Sequence, residues 1–273
     1  MRTYIDDRAV KSRIWLADHG LLVTRNDRRL VALKDKHKGR RCFIIGNGPS
    51  LKIADLDMLK NEITFASNKI YLAFDQTEWR PTYYSVTDIL VAENNRGIIS
   101  RLQLTKLFCS SIRSCFDKDK DVIWLKLLRN PVSDGRHVRA FSVNIIGGVY
   151  SGATVIYHQL QAAFHMGIRE VYLIGVDFKF VIPRPGGGLT QYNEVILTHG
   201  GELNHFHPEY RKAGEKWTLP CLDAQREAFL VARSTFERYG GRILNASRET
   251  ALDIFPRSNF EEIIAEKGAC GAR

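Results

Sequence analysis

A glycine-rich turn that directly follows a short apolar run most constrains the fold of this chain. The apolar run is residues 42–45, and the turn is Gly46-Asn47-Gly48-Pro49-Ser50. An apolar run bounded by a turn predicts a buried strand, and glycines at its carboxyl end let backbone amides approach an anionic ligand. The spacing matches neither G-x-G-x-x-G nor G-x-x-x-x-G-K-[ST], which excludes a dinucleotide fingerprint and a P-loop. The turn therefore indicates a nucleotide pocket of another kind, or an ordinary structural turn.

Strand-like and helix-like segments alternate along the rest of the chain. Runs rich in β-branched and aromatic residues predict strands, and longer segments that begin at a capping residue and end at glycine predict helices. The predicted strands are residues 42–45, 63–66, 82–86, 122–125, 171–174 and 242–244, and the predicted helices are residues 89–104, 151–166 and 222–239. We take Ser151 as the cap of the second helix. The alternation predicts an α/β fold with a doubly wound, mostly parallel, Rossmann-like sheet.

The length of the chain allows one substantial core, or one core with a small lobe. It has 273 residues, of which 44% are hydrophobic, and such a chain buries a sizeable apolar surface. We expect a helical and basic extension over residues 1–38, a catalytic nucleotide-binding domain over residues 39–260 and a tail over residues 261–273. Residues 183–217 show no convincing regular element, which predicts a lid over about residues 180–218.

Positive charge concentrates near the amino terminus. The net charge is +10, and lysines and arginines cluster in residues 25–41. No nucleic-acid-binding motif accompanies them, so we expect no nucleic-acid partner. Peripheral contact with an anionic membrane, self-association into a homo-oligomer and a simple solvated face all remain open.

The sequence also bears on the location of the chain. No apolar stretch approaches the roughly 20 residues that cross a bilayer. The amino terminus carries Asp6, Asp7 and Arg8 instead of the apolar region of a signal peptide. We therefore expect a cytoplasmic protein, with the inner face of the membrane as the alternative. The five cysteines form no C-x-x-C pair, which predicts buried thiols and neither a zinc ribbon nor a disulfide framework; they are Cys42, Cys109, Cys115, Cys221 and Cys270.

Polar residues follow the predicted strands at their carboxyl ends, where ligands bind in sheets of this kind. They are Asn47 and Ser50, Ser67 and Asn68, Thr87 and Asp88, and Asp177. Amide and hydroxyl groups dominate this set, and they suit hydrogen bonding to a base, ribose or sugar better than metal coordination, which needs several converging carboxylates. For Asn68 and Asp88, a turn or cap role is the alternative.

Two histidines in the predicted lid are candidates for proton transfer. His205 and His207 have side chains whose ordinary pKa suits general-base chemistry near neutral pH. An H-x-H pair also binds zinc in some proteins, but no third ligand is evident here, so we expect no metal. A packed or solvated loop histidine is the alternative for each.

Several blocks of sequence resemble two related families. Residues 44–52, 67–71, 149–152 and 167–178 are similar to the bacterial sialyltransferases of lipooligosaccharide synthesis, glycosyltransferase family forty-two. The same blocks resemble the broader MptE-like family, which includes an archaeal 6-hydroxymethyl-7,8-dihydropterin diphosphokinase. Across residues 39–260 the chain looks closest to MptE-like proteins of surface-polysaccharide loci.

The sialyltransferase resemblance implies inverting transfer from a CMP-sugar donor to a glycan or lipid-linked acceptor. It also implies a GT-A-like variant of the fold, no tightly bound cofactor and no essential metal. Matched position by position, the resemblance implies that the donor is contacted by Asn47, Gly48, Asn68, Ser151, Gly152 and Asp177. Asn47 and Gly48 belong to the turn that also contains Gly46, Pro49 and Ser50. The catalytic histidine falls in residues 204–210, where His205 and His207 both qualify and His207 is preferred.

The chain departs from both family patterns. The sialyltransferases carry an arginine where this chain has Gly148, and a tyrosine where it has Lys179. Lys179 offers positive charge to a departing phosphate. The diphosphokinase carries two carboxylates where this chain keeps only Asp88, which weakens the case for magnesium and ATP. We expect a glycosyltransferase; the alternatives are a magnesium-ATP diphosphokinase and a non-catalytic nucleotide-binding protein of a polysaccharide-assembly complex.

Overall fold

A parallel sheet of seven strands, with helices in the connections, confirms the predicted α/β class. The structure is a computed structural model that describes residues 7–21, 24–133, 135–181, 196–198, 203–212 and 214–270. The strands are β1 (Arg41–Ile45), β2 (Ile63–Ser67), β3 (Tyr83–Ser85), β4 (Lys106–Cys109), β5 (Val122–Leu125), β6 (Leu127–Leu128), β7 (Val132–Ser133), β8 (Arg136–His137), β9 (Val149–Tyr150), β10 (Glu170–Ile174), β11 (Ile196–Thr198), β12 (Lys216–Thr218) and β13 (Arg242–Asn245). The helices are α1 (Asp7–Asp18), α2 (Arg25–Leu33), α3 (Ile53–Met58), α4 (Ile89–Arg101), α5 (Arg113–Phe116), α6 (Val155–His165), α7 (Leu222–Arg238) and α8 (Phe260–Cys270).

Two compact units divide the chain, and both are discontinuous in sequence. Unit 1 comprises Met1–Arg40, Tyr83–Arg169 and Pro220–Arg242, and unit 2 comprises Arg41–Thr82, Glu170–Leu219 and Ile243–Arg273. The predicted basic extension over residues 1–38 falls within unit 1, where its described part forms α1 and α2. The predicted tail over residues 261–273 falls within unit 2 and is helical in its described part, because α8 begins at Phe260.

Unit 2 contains a doubly wound arrangement of strands. Its strands lie in the order β13-β10-β1-β2, and β1 pairs in parallel with both of its neighbours. In register, Cys42 lies between Val171 of β10 and Ile63 of β2. Residues 42–45 are completely buried, as the apolar run predicted. Because the chain continues from β1 to β2 on one side and later adds β10 and β13 on the other, the topology switches between β1 and β10.

Unit 1 is built on the parallel strands β3, β4 and β5, in that order. Aromatic rings fill its core: the Phe108 ring lies 5.1 Å from that of Phe116 and 6.3 Å from that of Trp124. The Asn26 side chain of α2 bonds the backbone of Trp124 in both directions, accepting from its N–H at 2.7 Å and donating to its carbonyl at 3.0 Å. This pair of hydrogen bonds attaches α2 to β5.

Two predictions of local structure are wrong. The predicted helix over residues 151–166 begins later, at Val155, because Thr154 rather than Ser151 caps it, accepting a hydrogen bond from the Ile156 amide. Ala153 has a left-handed φ of 57°, so no helix includes it. The predicted lid contains a regular element, an antiparallel ribbon in which β11 pairs with β12.

Within the seven-stranded sheet, β4 is the strand that the sequence analysis does not predict. β4 begins with Lys106, which is 1% exposed although lysine normally lies at the surface. Its Nζ bonds Asp119 at 2.7 Å and the Ser100 carbonyl at 3.1 Å, and these contacts stabilise the buried charge.

Two observations bear on the predicted location and thiol chemistry. None of the described helices combines the length and apolarity needed to cross a membrane. Cys42, Cys109 and Cys115 are buried as predicted, whereas Cys221 is exposed at the start of α7, which corrects that prediction. The Cys270 side chain lies outside the described residues.

Candidate functional site

The candidate site lies in unit 2, at the carboxyl ends of β1 and β10. The Gly46 turn (residues 46–50) follows β1, and Asp177 follows β10 three residues after its end. The topology of unit 2 switches between these two strands, and ligands of open α/β sheets bind in the crevice at such a point. The fold thus brings together two segments that the sequence separates widely.

The glycines of the turn allow the two strand ends to approach closely. A Cβ added to Gly46 would collide with the Gly175 carbonyl, and one added to Gly48 would lie 2.6 Å from Cγ of Asp177. Real Cβ atoms do not tolerate such distances, so a larger residue at position 46 would push the strand ends apart and one at position 48 would displace the Asp177 carboxylate. The glycines therefore have a packing role that does not require a ligand.

Three amides of the Gly46 turn already donate within unit 2. The N–H of Gly46 bonds the Ile174 carbonyl at 2.8 Å, that of Gly48 bonds the Gly175 carbonyl at 2.9 Å, and that of Ser50 bonds Asp177 at 2.8 Å. Pro49 has no N–H. The turn therefore offers an anion fewer amide donors than its glycine content suggests, and its side chains become the more important groups.

Asp177 is held against the turn by Ser50. Its carboxylate accepts hydrogen bonds from both the backbone N–H and the hydroxyl of Ser50. Burial raises the pKa of Asp177 above its ordinary value, the Ser50 hydrogen bonds oppose this shift, and the charge of Glu249 adds to it. Because Ser50 donates a hydrogen bond to each carboxylate oxygen, Asp177 stabilises the conformation of the turn in this arrangement.

Asn47 presents a buried acceptor at the strand ends. Only 8% of the residue is exposed, and its amide nitrogen donates to the Ser67 carbonyl at 3.2 Å and approaches the Ser67 hydroxyl at 3.4 Å. This orientation turns Oδ1 away from Ser67, and Oδ1 has no hydrogen-bond partner among the described residues. A buried carbonyl oxygen without a partner costs free energy unless a ligand or water satisfies it.

The histidine segment is bonded directly to the Gly46 turn. The Phe206 N–H donates to the Asn47 carbonyl at 2.9 Å, which holds the backbone between His205 and His207 against the turn. The His205 ring stacks on Tyr210, with centroids 3.7 Å apart and planes 5° from parallel. His207 Nδ1 accepts the Glu209 N–H at 3.2 Å, which makes His207 the cap of the 3-10 helix Pro208–Tyr210.

Tyr210 and an ion pair attach this segment to the end of β2. The buried Tyr210 hydroxyl accepts hydrogen bonds from the Asn68 side chain and the Lys69 amide, while burial raises the pKa of Tyr210. Lys69, itself 5% exposed, bonds both carboxylate oxygens of Glu215 at 2.6 and 2.9 Å. Asn68 has a left-handed φ of 52°, which asparagine tolerates better than most residues.

Lys179 lies beyond Asp177 on a strained segment. It is exposed, and the preceding Phe178 has a left-handed φ of 54°, which is unusual for a bulky residue. Asn204 bonds the backbone of Val181 in both directions, at 2.6 and 2.9 Å. Strained backbone that its surroundings hold in place is typical of functional segments.

Three predicted donor residues belong to unit 1. Asp88 caps α4, accepting from Leu90 N–H at 2.7 Å, which is the alternative role predicted for it. The Ser151 carbonyl accepts from the Asn130 side chain at 3.2 Å, and a Cβ on Gly152 would collide with the Tyr157 ring. Their donor contacts stay predictions. Within the described part of the chain, no three or more His, Cys, Asp or Glu residues group together as metal ligands.

Sequence reasoning missed Lys69 and Glu215. The two residues are 146 positions apart; Lys69 lies in the block 67–71 but received no role there, and Glu215 lies in none of the blocks. Ser67 follows a predicted strand, and Tyr210 ends the segment in which the catalytic histidine was sought, so position alone pointed to both. Only the folded chain shows that contacts of Lys69 and Tyr210 attach the histidine segment to the end of β2.

Comparison with solved structures gives distant structural likenesses to this chain. The chain is similar to the MAf glycosyltransferase from Magnetospirillum magneticum AMB-1, at 14% sequence identity and a TM-score of 0.49. The match covers 93% of this chain but only 41% of the length of that protein. No protein-family model matches the chain, and no curated protein matches its sequence. Membership of the sialyltransferase or MptE-like families therefore stays a prediction.

Proposed function

We propose that this chain is a glycosyltransferase that uses a nucleotide-activated sugar, with a CMP-sugar favoured, in the synthesis of a bacterial surface glycan. One observation supports this most: the Phe206 N–H bond to the Asn47 carbonyl holds the histidine segment against a turn with a buried, unsatisfied acceptor. A ligand-binding group and a candidate proton acceptor are thereby neighbours at the strand ends of unit 2.

Asn47 supplies recognition of the nucleoside. Its Oδ1 accepts a hydrogen bond, so the ligand group that it meets is an N–H or an O–H. The exocyclic amino group of cytosine and the ribose hydroxyls both fit this requirement. A carbonyl or phosphate oxygen does not, because it would face another acceptor.

The proposed reaction is a direct displacement at the anomeric carbon. A histidine removes the proton from an acceptor hydroxyl, the oxygen forms the new glycosidic bond, and the bond to the nucleotide phosphate breaks with inversion. The phosphate leaves with its electron pair, and the exposed charge of Lys179 favours this departure. No step of this scheme uses a metal ion.

One hydrogen bond of the segment argues against His207 as the base. Because Nδ1 of His207 accepts the Glu209 N–H, the neutral ring carries its proton on Nε2 and can only donate from there. To act as a base, His207 would have to lose the hydrogen bond by which its Nδ1 caps the 3-10 helix. We therefore assign proton removal to His205, which reverses the preference drawn from the resemblance.

Release of CMP from a CMP-sugar in the presence of an acceptor tests the proposal. We expect His205→Asn to reduce turnover by about a hundred- to ten-thousandfold, the usual contribution of general-base catalysis. His207→Asn keeps a capping side chain and should retain activity within a few-fold. His137→Asn, an exposed histidine of unit 1, is the control for the substitution itself.

Other outcomes would reject the proposal or part of it. A larger loss in His207→Asn than in His205→Asn would make His207 the base. Full turnover in the double variant would exclude both histidines. Magnesium-dependent consumption of ATP with a pterin would replace the glycosyltransferase by a diphosphokinase, and nucleotide binding without any transfer would indicate a non-catalytic protein.

A further inference from the structure

Most of the net positive charge of the chain lies in a short part of unit 1. Residues 8–40 contain ten lysines and arginines against three aspartates, a net charge of +7 out of +10 for the whole chain. These residues include α1 and α2. The structure shows which of these charges serve the fold and which face solvent.

The inward-facing basic residues of this region are used structurally. Arg13 of α1 pairs with the buried Asp27 of α2 and donates to the Ile146 carbonyl at 2.7 Å. Arg29 donates to the Lys120 carbonyl at 2.7 Å. These contacts join α1 and α2 to the rest of unit 1 and direct their other faces outward.

The remaining basic residues are exposed. They are Arg8, Lys11, Arg25, Arg28, Lys34, Lys36, Lys38 and Arg40. Lys34 bonds Asp18 at 3.1 Å, and both side chains are nearly half exposed. An exposed pair of this kind contributes little to stability, so solvent-facing charge is the main property of the set.

Large apolar side chains lie exposed among these charges. Trp15 is 55% exposed, Leu21 54% and Val31 39%. Trp15 follows Arg8 and Lys11 at positions i+7 and i+4, so the three share one face of α1. Trp79, Trp124 and Trp217 are buried, which makes Trp15 the one exposed tryptophan of the four in the chain.

We propose that this surface, called here the α1–α2 face and formed by the eight exposed basic residues with Trp15, Leu21 and Val31, binds an anionic membrane. Lysine and arginine are attracted to anionic lipid headgroups, and tryptophan favours the interface between headgroup and acyl chain. Exposed apolar side chains among the charges favour a lipid surface over nucleic acid, whose backbone offers only phosphates. The inference is independent of the transferase chemistry.

Sedimentation of the full chain with vesicles tests the proposal. We expect binding to phosphatidylcholine vesicles with about 30 mol% phosphatidylglycerol, weaker binding at high salt and none to phosphatidylcholine alone. Each neutralised basic residue should lower the partition coefficient about fivefold, so Arg25→Gln with Arg28→Gln should lower it about 25-fold. Arg101→Gln with Lys118→Gln removes the same charge from exposed positions of unit 1 elsewhere and should change binding less than about twofold.

Tryptophan fluorescence gives a second, local readout. On binding, Trp15 emission should shift to shorter wavelength, and brominated phospholipids should quench it, whereas Trp15→Phe should lose both signals. Equal loss of binding in the two double variants, quenching that persists in Trp15→Phe, or no binding to anionic vesicles would overturn the proposal. So would protection of Trp15 by a second copy of the chain, or by DNA, in the absence of lipid.

Discussion

Replacing Gly48 by alanine tests the close approach of the two strand ends. The new Cβ would lie 2.6 Å from Cγ of Asp177 and 2.7 and 2.8 Å from its two carboxylate oxygens. Carbon atoms in ordinary contact are about 3.5–4.0 Å apart, so the carboxylate must move by about 1 Å. That movement strains both of its hydrogen bonds from Ser50.

The expected cost follows from three contributions. Overpacking costs about 1–3 kcal/mol, and weakening a hydrogen bond to a charged group costs about 1.5–3 kcal/mol. The alanine also restricts the unfolded chain, which returns about 0.4–1 kcal/mol. We therefore expect Gly48→Ala to lower the free energy of unfolding by about 2–4 kcal/mol.

Urea unfolding followed by circular dichroism measures this change, with Gly97→Ala as the matched control. Gly97 lies in α4 with nothing within 4 Å of an added Cβ, so its replacement should stabilise the chain by about 0.8–1 kcal/mol. In an Asp177→Ala background the cost of Gly48→Ala should shrink by about 1–3 kcal/mol, whereas Asp177→Asn keeps the side-chain volume and the clash. A Gly48→Ala chain as stable as the parent, or an equal cost in all three backgrounds, would refute the reasoning.

Two further predictions concern buried ionisable groups. Lys69→Met should lower the free energy of unfolding by about 3–5 kcal/mol because it removes the charge partner of Glu215, which then keeps only the Lys212 N–H, and adding Glu215→Leu should restore most of the loss. Thermal unfolding of the four chains of this cycle measures the effect, and a double variant that recovers no stability would contradict the assignment. Burial lowers the pKa of His165, whose ring bonds the Leu30 carbonyl at 3.0 Å, so the neutral form favours folding. The contribution of His165 to stability is present above the ordinary pKa of about 6.5 and is lost as the pH falls below that value. The urea midpoint should therefore fall less steeply between pH 8 and 5 in His165→Gln than in the parent chain. An unchanged dependence of the midpoint on pH would contradict this prediction.

The strands of unit 2 could be predicted because their apolar runs are local signals. Residues 42–45 and 171–174 form the last four of the five residues of β1 and β10. β4 was not predicted because a lysine at position 106 is typical of a surface residue. The charge of Lys106 can be buried because Asp119 pairs with it, and the sequence does not show this pairing. Local patterns identify elements, but they do not reveal charge pairs formed by folding.

The strand ends at which the candidate site lies could be predicted, whereas the contacts of its residues could be predicted only in part. Strand-end reasoning selected Asn47 and Asp177, which the fold brings to one edge of unit 2. The same reasoning expected the turn amides to face a ligand, whereas Ser50 and Asp177, 127 positions apart, satisfy each other. The proposed choice of His205 over His207 likewise depends on a single hydrogen bond from the Glu209 N–H to His207, which no sequence pattern predicted.

The affinity of the chain for CMP, measured by titration calorimetry, tests the central claim most directly. The claim is that a nucleotide occupies the strand ends of unit 2 and satisfies Oδ1 of Asn47. We expect the parent chain and Asn94→Ala, at an exposed position of α4, to bind CMP equally. Asn47→Ala should bind about tenfold more weakly, the value of one hydrogen bond. A parent chain without affinity for CMP, or an Asn47→Ala chain with undiminished affinity, would contradict the account.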